Sequence, residues 1–313
     1  MEFNSSLPTD SKNMIAPVKL YSMTYTPDIC DETLAPIIFI PGFYSTNRTF
    51  AGVRYIISRR TKRRIFVIEL RNHGMSEYSD DFSLSHCIAD FENFMETSNI
   101  SRAVLAGHSM GGKLALAMAL KHPDKVEKVI VEDVNVVFTE LTIEGYSKNL
   151  LLMKFLNHKF KELPSDVSES EAQRQLVPHV LKFWPKATQN YSKLKSNSKI
   201  PFRVPLYTNA SGKVAWEFNG DVVIGTPLDK LNIDLSLNPI YTGDTLLLAG
   251  EVSFTGTHKE MDAFYKHFPN LTCEVIPNVF HTYHVECPEL YIKLVSKFIG
   301  EEKFEFHESG APL

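Results

Sequence analysis

Arginine is missing from the first 30 residues, which hold Glu2, Asp10 and Asp28 instead, so an Arg-rich, acid-poor transit segment is not visible there. Apolar runs long enough for a signal-peptide core or a membrane span are lacking too, which makes secretion unexpected and excludes a transmembrane segment. Cysteine is scarce. Cys30, Cys87, Cys273 and Cys287 stand far apart, with no CxxC pair and no metal-ligand spacing, so reduced thiols in an intracellular protein are expected, with no metal and no nucleophilic cysteine. Positive charge is in deficit: the formal net charge is -4, which excludes nucleic acid as an expected partner. The one basic run, Arg59-Arg60-Thr61-Lys62-Arg63-Arg64, precedes a strand-like segment and reads as a solvated helix end. Internal repeats and low-complexity segments are absent as well.

What is present fits one large domain: 313 residues, 43% apolar, are enough to bury a full core. Strand-like runs alternate with helical patterns, as in a doubly wound sheet. Val18 to Tyr25 reads as an entry strand, Ile37 to Ile40 as a buried strand and Thr49 to Arg59 as a helix. Ile65 to Leu70, Ala103 to Ala106 and Val129 to Glu132 read as further strands, with helices over Phe82 to Thr97 and Lys113 to Lys121. After Val137 the rhythm breaks. Leu150 to Phe160 and Glu169 to Phe183 look helical and Phe202 to Phe218 extended, before strand, helix, strand and helix return at Thr245 to Ala249, Lys259 to His267, Thr272 to Ile276 and Pro288 to Ile299. The expected organisation is an N-terminal segment and entry strand (1–35), a core built from 36–136 and 241–300, a cap insertion (137–240) and a polar tail (301–313). The apolar cluster Leu150 to Leu156 reads as the cap's own packing face, an acyl-chain wall being the other reading.

The pentapeptide Gly107-His108-Ser109-Met110-Gly111 lies between a strand and a helix and has the form of a nucleophile elbow, in which Ser109 is exposed on a tight bend. The N–H of Met110, at the head of the helix, can then face a developing oxyanion, and the loop Pro41-Gly42-Phe43-Tyr44 after Ile40 offers the Phe43 N–H as its partner. A serine hydroxyl needs a base. Two of the 11 histidines, His281 and His284, sit in the loop after the last strand, His281 five residues past Ile276 and His284 near the final helix. The acid is less direct, because the turn Gly250-Glu251-Val252-Ser253 carries serine where a triad aspartate is expected. Asp133 at the end of Val129 to Glu132, Glu251 and the cap residue Asp221 are the candidates.

With these residues assembled, the chain resembles the α/β-hydrolase superfamily, and within it the esterase/lipase group of the alpha/beta-hydrolase domain-containing protein eleven with its bacterial esterase relatives. The resemblance runs from about residue 36 to 300 and is carried by Leu70-Arg71-Asn72-His73-Gly74-Met75-Ser76, by Ala106 to Lys113 and by Ile276-Pro277-Asn278-Val279-Phe280-His281. It implies an α/β fold with a mostly parallel doubly wound sheet and a helical cap inserted after the sixth strand. The leading expectation is a cofactor-independent carboxylic ester hydrolase with catalytic Ser109, Asp133 and His281 and an oxyanion hole at Phe43 and Met110. The resemblance supports Asp133 through its bacterial members and Asp221 through its animal members. It implies a lipid or short acyl ester as substrate, with diacylglycerol among the candidates, and a mitochondrial location, or a cytoplasmic one if no transit segment is used. In the group, the histidine after the Pro-Asn pair is the base. Pro41, Ser45 and Phe280 depart from its usual histidine, glycine and glycine, and Phe280 beside His281, with the missing acid at Ser253, motivates the alternative of a catalytically impaired, ligand- or partner-binding hydrolase fold.

Overall fold

Residues 15–184 and 203–300 are described in a computed structural model; the polar tail, the first 14 residues and Phe202 lie outside them. Seven strands form the main sheet: β1 (Ser22–Tyr25), β2 (Ile37–Ile40), β3 (Ile65–Ile68), β4 (Ala103–His108), β5 (Val126–Glu132), β8 (Thr245–Gly250) and β9 (Leu271–Ile276). Their order is β1-β3-β2-β4-β5-β8-β9, with β1 antiparallel to β3 and every other pair parallel. The intervening hairpin pairs β6 (Leu206–Thr208) with β7 (Val214–Trp216).

Strand alternation divides the core into two layers. Ile38, Ile40, Leu105, Val129, Val131 and Leu247 face one cluster, completed by helices α2 (Leu84–Thr97) and α3 (Met110–Lys121) and by the inserted region. Ile37, Phe39, Val104, Ile130, Leu246 and Leu248 face the other, beneath α1 (Arg54–Thr61) and α9 (Pro288–Ile299). A strand buried on both faces needs apolar residues without interruption, which is why β2 reads Ile-Ile-Phe-Ile and is fully buried.

The elements follow the expected order, with shifts that have local causes. The entry strand shortens to Ser22–Tyr25. The segment from Thr49 is first a 3-10 turn, Asn47–Phe50, and α1 begins only at Arg54. The basic run is not all solvated helix end: Arg63 is buried, with its guanidinium on the Ala35 carbonyl and the Glu127 carboxylate. Helix α4 spans Glu140–Lys161, ten residues before its apolar cluster, because Thr139 and Thr142 form a reciprocal cap. Helix α5 (Glu169–Phe183) starts at the Ser168 cap. The insertion follows β5, the fifth strand among the described residues, where a sixth was expected. Short helices α6 (Gly220–Gly225), α7 (Asp262–His267) and α8 (Tyr283–Glu286) complete the chain. All four cysteines are free thiols. Among the described residues no helix is long and apolar enough to cross a membrane, and no cluster of metal-ligating side chains occurs.

Candidate active site

Ser109 links β4 to α3 with φ +50° and ψ -116°, a region that L-residues enter only where the surroundings enforce it. The enforcement comes from close packing. A Cβ on Gly111 would lie 2.1 Å from the Ile40 carbonyl oxygen, and one on Gly107 2.4 Å from that of Gly111. Only glycine fits at both positions, so helix and strand are pressed together and Ser109 is pushed out at the bend. Its N–H donates to the Glu132 carbonyl at 2.9 Å, tying the elbow to β5.

Asp133 follows β5 in a left-handed conformation, φ +49°, and is fully buried. Its carboxylate receives the His281 Nδ1 proton at 2.5 Å, the Tyr283 hydroxyl at 2.9 Å and the Gly250 N–H at 3.4 Å. Ser253 donates to it too. The serine standing where an acid was expected therefore serves the carboxylate from the neighbouring strand. A carboxylate on Nδ1 fixes the proton there and leaves Nε2 as the basic nitrogen.

Two further groups set the histidine loop. Glu286 accepts three backbone N–H bonds, from Phe280 at 2.9 Å, His281 at 2.9 Å and Thr282 at 2.8 Å. His108, from the elbow itself, donates Nε2–H to the His281 carbonyl at 3.0 Å. Burial, followed by the neighbouring His281 and His284, pushes the His108 pKa well below its ordinary value. Neither Glu286 nor His108 was singled out in the sequence, although Glu286 lies five residues past His281 on the next short helix.

The other candidates are placed elsewhere. Asp221 is on the surface, its carboxylate 74% exposed and held by Lys161 at 2.7 Å. Glu251 is exposed and accepts the Asn278 N–H at 3.0 Å. His284 is buried, and its ring joins Glu132 to Thr49. Neither Asp221 nor Glu251 is hydrogen-bonded to His281.

Opposite the elbow, the loop after β2 lies close against it: a Cβ on Gly42 would come within 2.9 Å of His108 Nδ1 and 3.0 Å of Ser109 Cβ. Tyr44, at φ +60°, donates its N–H to His73 Nε2 at 3.2 Å. His73 gives its one proton, on Nδ1, to the Arg71 carbonyl at 2.8 Å, and burial lowers its pKa to about 4. Among the described residues, the N–H groups of Phe43 and Met110 have no hydrogen-bond acceptor.

Ser109 and His281 line one cavity of about 280 Å³. Tyr146 lines the same cavity, and burial, with the Asp133 charge adding to it, raises its pKa, so it remains a phenol. Leu150, Leu152, Met153 and Leu156 of α4 are on the cavity wall, so the apolar cluster is more than the cap's own packing face, whereas Leu151 and Phe155 are exposed. Trp184, Phe254 and Phe280 form an aromatic wall, with ring centroids 5.3 to 5.7 Å apart. Phe254 is 4.5 Å from the His281 ring. Phe280 thus contributes to the wall and leaves the His281–Asp133 bond in place.

An elbow serine, a carboxylate-held histidine and a capped parallel sheet define the α/β-hydrolase class, and the family model of the alpha/beta hydrolase fold matches residues 35–288: the chain belongs to this family. Among its relatives, the sn-1-specific diacylglycerol lipase ABHD11 of Mus musculus is 28% identical over 270 residues, 86% of this chain and 82% of the relative. Ethanol acetyltransferase 1 of Cyberlindnera fabianii is 24% identical over 284 residues, 86% of this chain and 81% of the relative. Among solved structures, a marine microorganism esterase is similar with a TM-score of 0.67 at 22% identity, covering 90% of this chain and 99% of its own. Relatives named as lipases and structures named as esterases agree with the ester-hydrolase class expected from the sequence.

Proposed function

We propose that this chain is a cofactor-independent serine hydrolase that cleaves carboxylic esters through an acyl-enzyme, with residues 137–240 acting as a cap over the site. The reading rests above all on the 2.5 Å bond between His281 Nδ1 and the buried Asp133, made beside a serine held at positive φ in the same cavity. Ser109 first turns its hydroxyl to His281 Nε2 across the cavity that both line. Its oxygen attacks the ester carbonyl while His281 takes the proton. Asp133 holds the ring and stabilises the imidazolium, and the N–H groups of Phe43 and Met110 receive the negative oxygen. Collapse breaks the C–O bond to the alcohol, which leaves with the proton from His281. Water then adds to the acyl-enzyme by the same route in reverse and releases the acid.

The apolar and aromatic walls suit an acyl chain, which makes a lipid or short acyl ester the substrate class. Diacylglycerol enters through the ABHD11 relatives, and mitochondrial location through the same resemblance; tags at either terminus check the latter. A second reading, passage of the acyl group to an alcohol, is favoured by the acetyltransferase relative, and ethyl ester formation in ethanol-containing assays distinguishes it from hydrolysis. The catalytically impaired alternative has no observation in its favour beyond Phe280. An ester panel tests the assignment. Asp133→Asn is expected to lower kcat roughly 1,000- to 10,000-fold, as loss of the triad carboxylate does elsewhere. Asp221→Asn and Glu251→Gln are expected to stay within about twofold of wild type, since neither touches His281; a large loss in either would move the acid.

A further inference from the structure

Consecutive carboxylates at the end of β5 serve different histidines. Asp133 holds His281, while Glu132, 1% exposed, takes the proton of His284 Nδ1 at 2.7 Å. A carboxylate only accepts, so that proton is on Nδ1, and His284 Nε2 accepts from the Thr49 hydroxyl at 2.6 Å. His284 is walled in by Phe50, 4.4 Å away between ring centroids, and by His108 at 5.1 Å. The imidazole does not line the cavity; Thr49 does. The molecule thus has a second hydroxyl–imidazole–carboxylate chain ending at the wall of the cavity that holds Ser109.

The surroundings of Thr49 point to recognition and not to attack. It sits in a 3-10 turn, whereas the elbow geometry and the two free N–H groups belong to Ser109. Because its proton is committed to His284, the hydroxyl oxygen of Thr49, a residue of the cavity wall, can act only as an acceptor. A group that satisfies an acceptor must be a donor, and on a neutral ester that donor is a hydroxyl.

We propose that Thr49, oriented by His284 and Glu132, is a specificity residue that favours esters keeping a free hydroxyl in their alcohol portion, such as glycol esters and partial glycerides, over plain alkyl esters. The inference rests on the ester-hydrolase reading and narrows its substrate class.

The test uses two isosteric substrates, 2-hydroxyethyl butyrate and propyl butyrate, and reads the ratio of their kcat/KM values in wild type, Thr49→Val, Thr49→Ala and Thr49→Ser. Differences in intrinsic ester reactivity cancel between variants, as does the amount of folded enzyme. Loss of one neutral hydrogen bond is expected to lower the ratio about 5- to 10-fold in Thr49→Val and Thr49→Ala, with Thr49→Ser staying near wild type. An unchanged ratio in the Val and Ala variants overturns the inference, as does a fall in Thr49→Ser equal to theirs. Fluorophosphonate labelling of the same samples keeps the two levels apart. A wild type that labels at Ser109 but shows no shift in ratio removes only the hydroxyl preference; a wild type that does not label removes the ester-hydrolase reading and the inference together.

Discussion

At the residue scale, the site depends on hydrogen bonds that reach one carboxylate from several elements. Asp133 is served by His281, Tyr283, Gly250 and Ser253, and the chain runs on from Ser253 through Thr255 at 3.1 Å and Thr257 at 3.0 Å to Asn135. Ser253 touches Asp133 from the loop after β8, where the acid was expected, so the two positions should be exchangeable. The double variant Asp133→Asn/Ser253→Asp is expected to recover at least about tenfold in kcat over Asp133→Asn, because a carboxylate returns to the ring without a second charge against it; no recovery would mean that position 253 cannot reach His281. His73 sets a pH dependence. Its folded pKa of about 4 is below the value of about 6.5 for an exposed histidine, so the unfolded chain takes up that proton first as pH falls. Stability should therefore drop between about pH 6.5 and about pH 4, with His108 acting in the same direction. Urea midpoints across this range are expected to be lower overall in His73→Phe but to fall less steeply; an unchanged slope would rule His73 out as a contributor. Ser109, His281 and Asp133 were all legible in the sequence, because elbow, late histidine and strand-end acid are local patterns. Glu286, His108 and the Thr49–His284–Glu132 chain were not, since their partners are up to 235 residues apart and only the folded sheet brings them together.

Glycine at the elbow illustrates how elements, rather than side chains, hold Ser109 in place. Gly111→Ala would set a methyl 2.1 Å from the Ile40 oxygen, inside any real contact distance, so β2 and α3 must separate. The expected result is a loss of several degrees in melting temperature together with most ester turnover, whereas Gly52→Ala, with open space around it, should leave melting nearly unchanged. Equal melting of the two variants would contradict the close-packing account. The cap is pressed on in a similar way. Gly145 of α4 brings that helix against the loop after β8, where a Cβ would lie 2.1 Å from the Phe254 oxygen. The parallel strands were legible to within about three residues at either end, β5 beginning at Val126 instead of Val129, because buried parallel strands are unbroken apolar runs. Helix α4 began ten residues earlier than its apolar cluster, since the Thr139–Thr142 cap, and not the hydrophobic stripe, decides where it starts.

Across the whole molecule, the sheet's loops carry Ser109 and His281, and the inserted region joins those loops in walling the cavity. Leu150, Leu156 and Trp184 approach from the insertion, Phe254 and Phe280 from the sheet's loops, and together they close a space of about 280 Å³ beside Ser109. In the proposed ester hydrolase, such a wall would limit acyl length. Phe280→Ala removes a ring from the cavity wall, and it is expected to move the preferred p-nitrophenyl ester toward longer acyl chains by about two or more carbons, each buried methylene adding roughly 0.8 kcal/mol of binding. An unchanged chain-length profile would show that the ring does not limit the acyl pocket. This dimension was only half legible: the apolar cluster of α4 was visible in the sequence, but its division between cavity and solvent depends on how the insertion sits over the sheet. The central claim, that Ser109 is a nucleophile activated by the His281–Asp133 pair, is tested most directly by intact-protein mass spectrometry after fluorophosphonate treatment. The account predicts one adduct on the wild type, mapped to Ser109, none on Ser109→Ala, and labelling slowed by orders of magnitude in His281→Ala. Equal labelling of wild type and Ser109→Ala, or an adduct mapped to another residue, would contradict it.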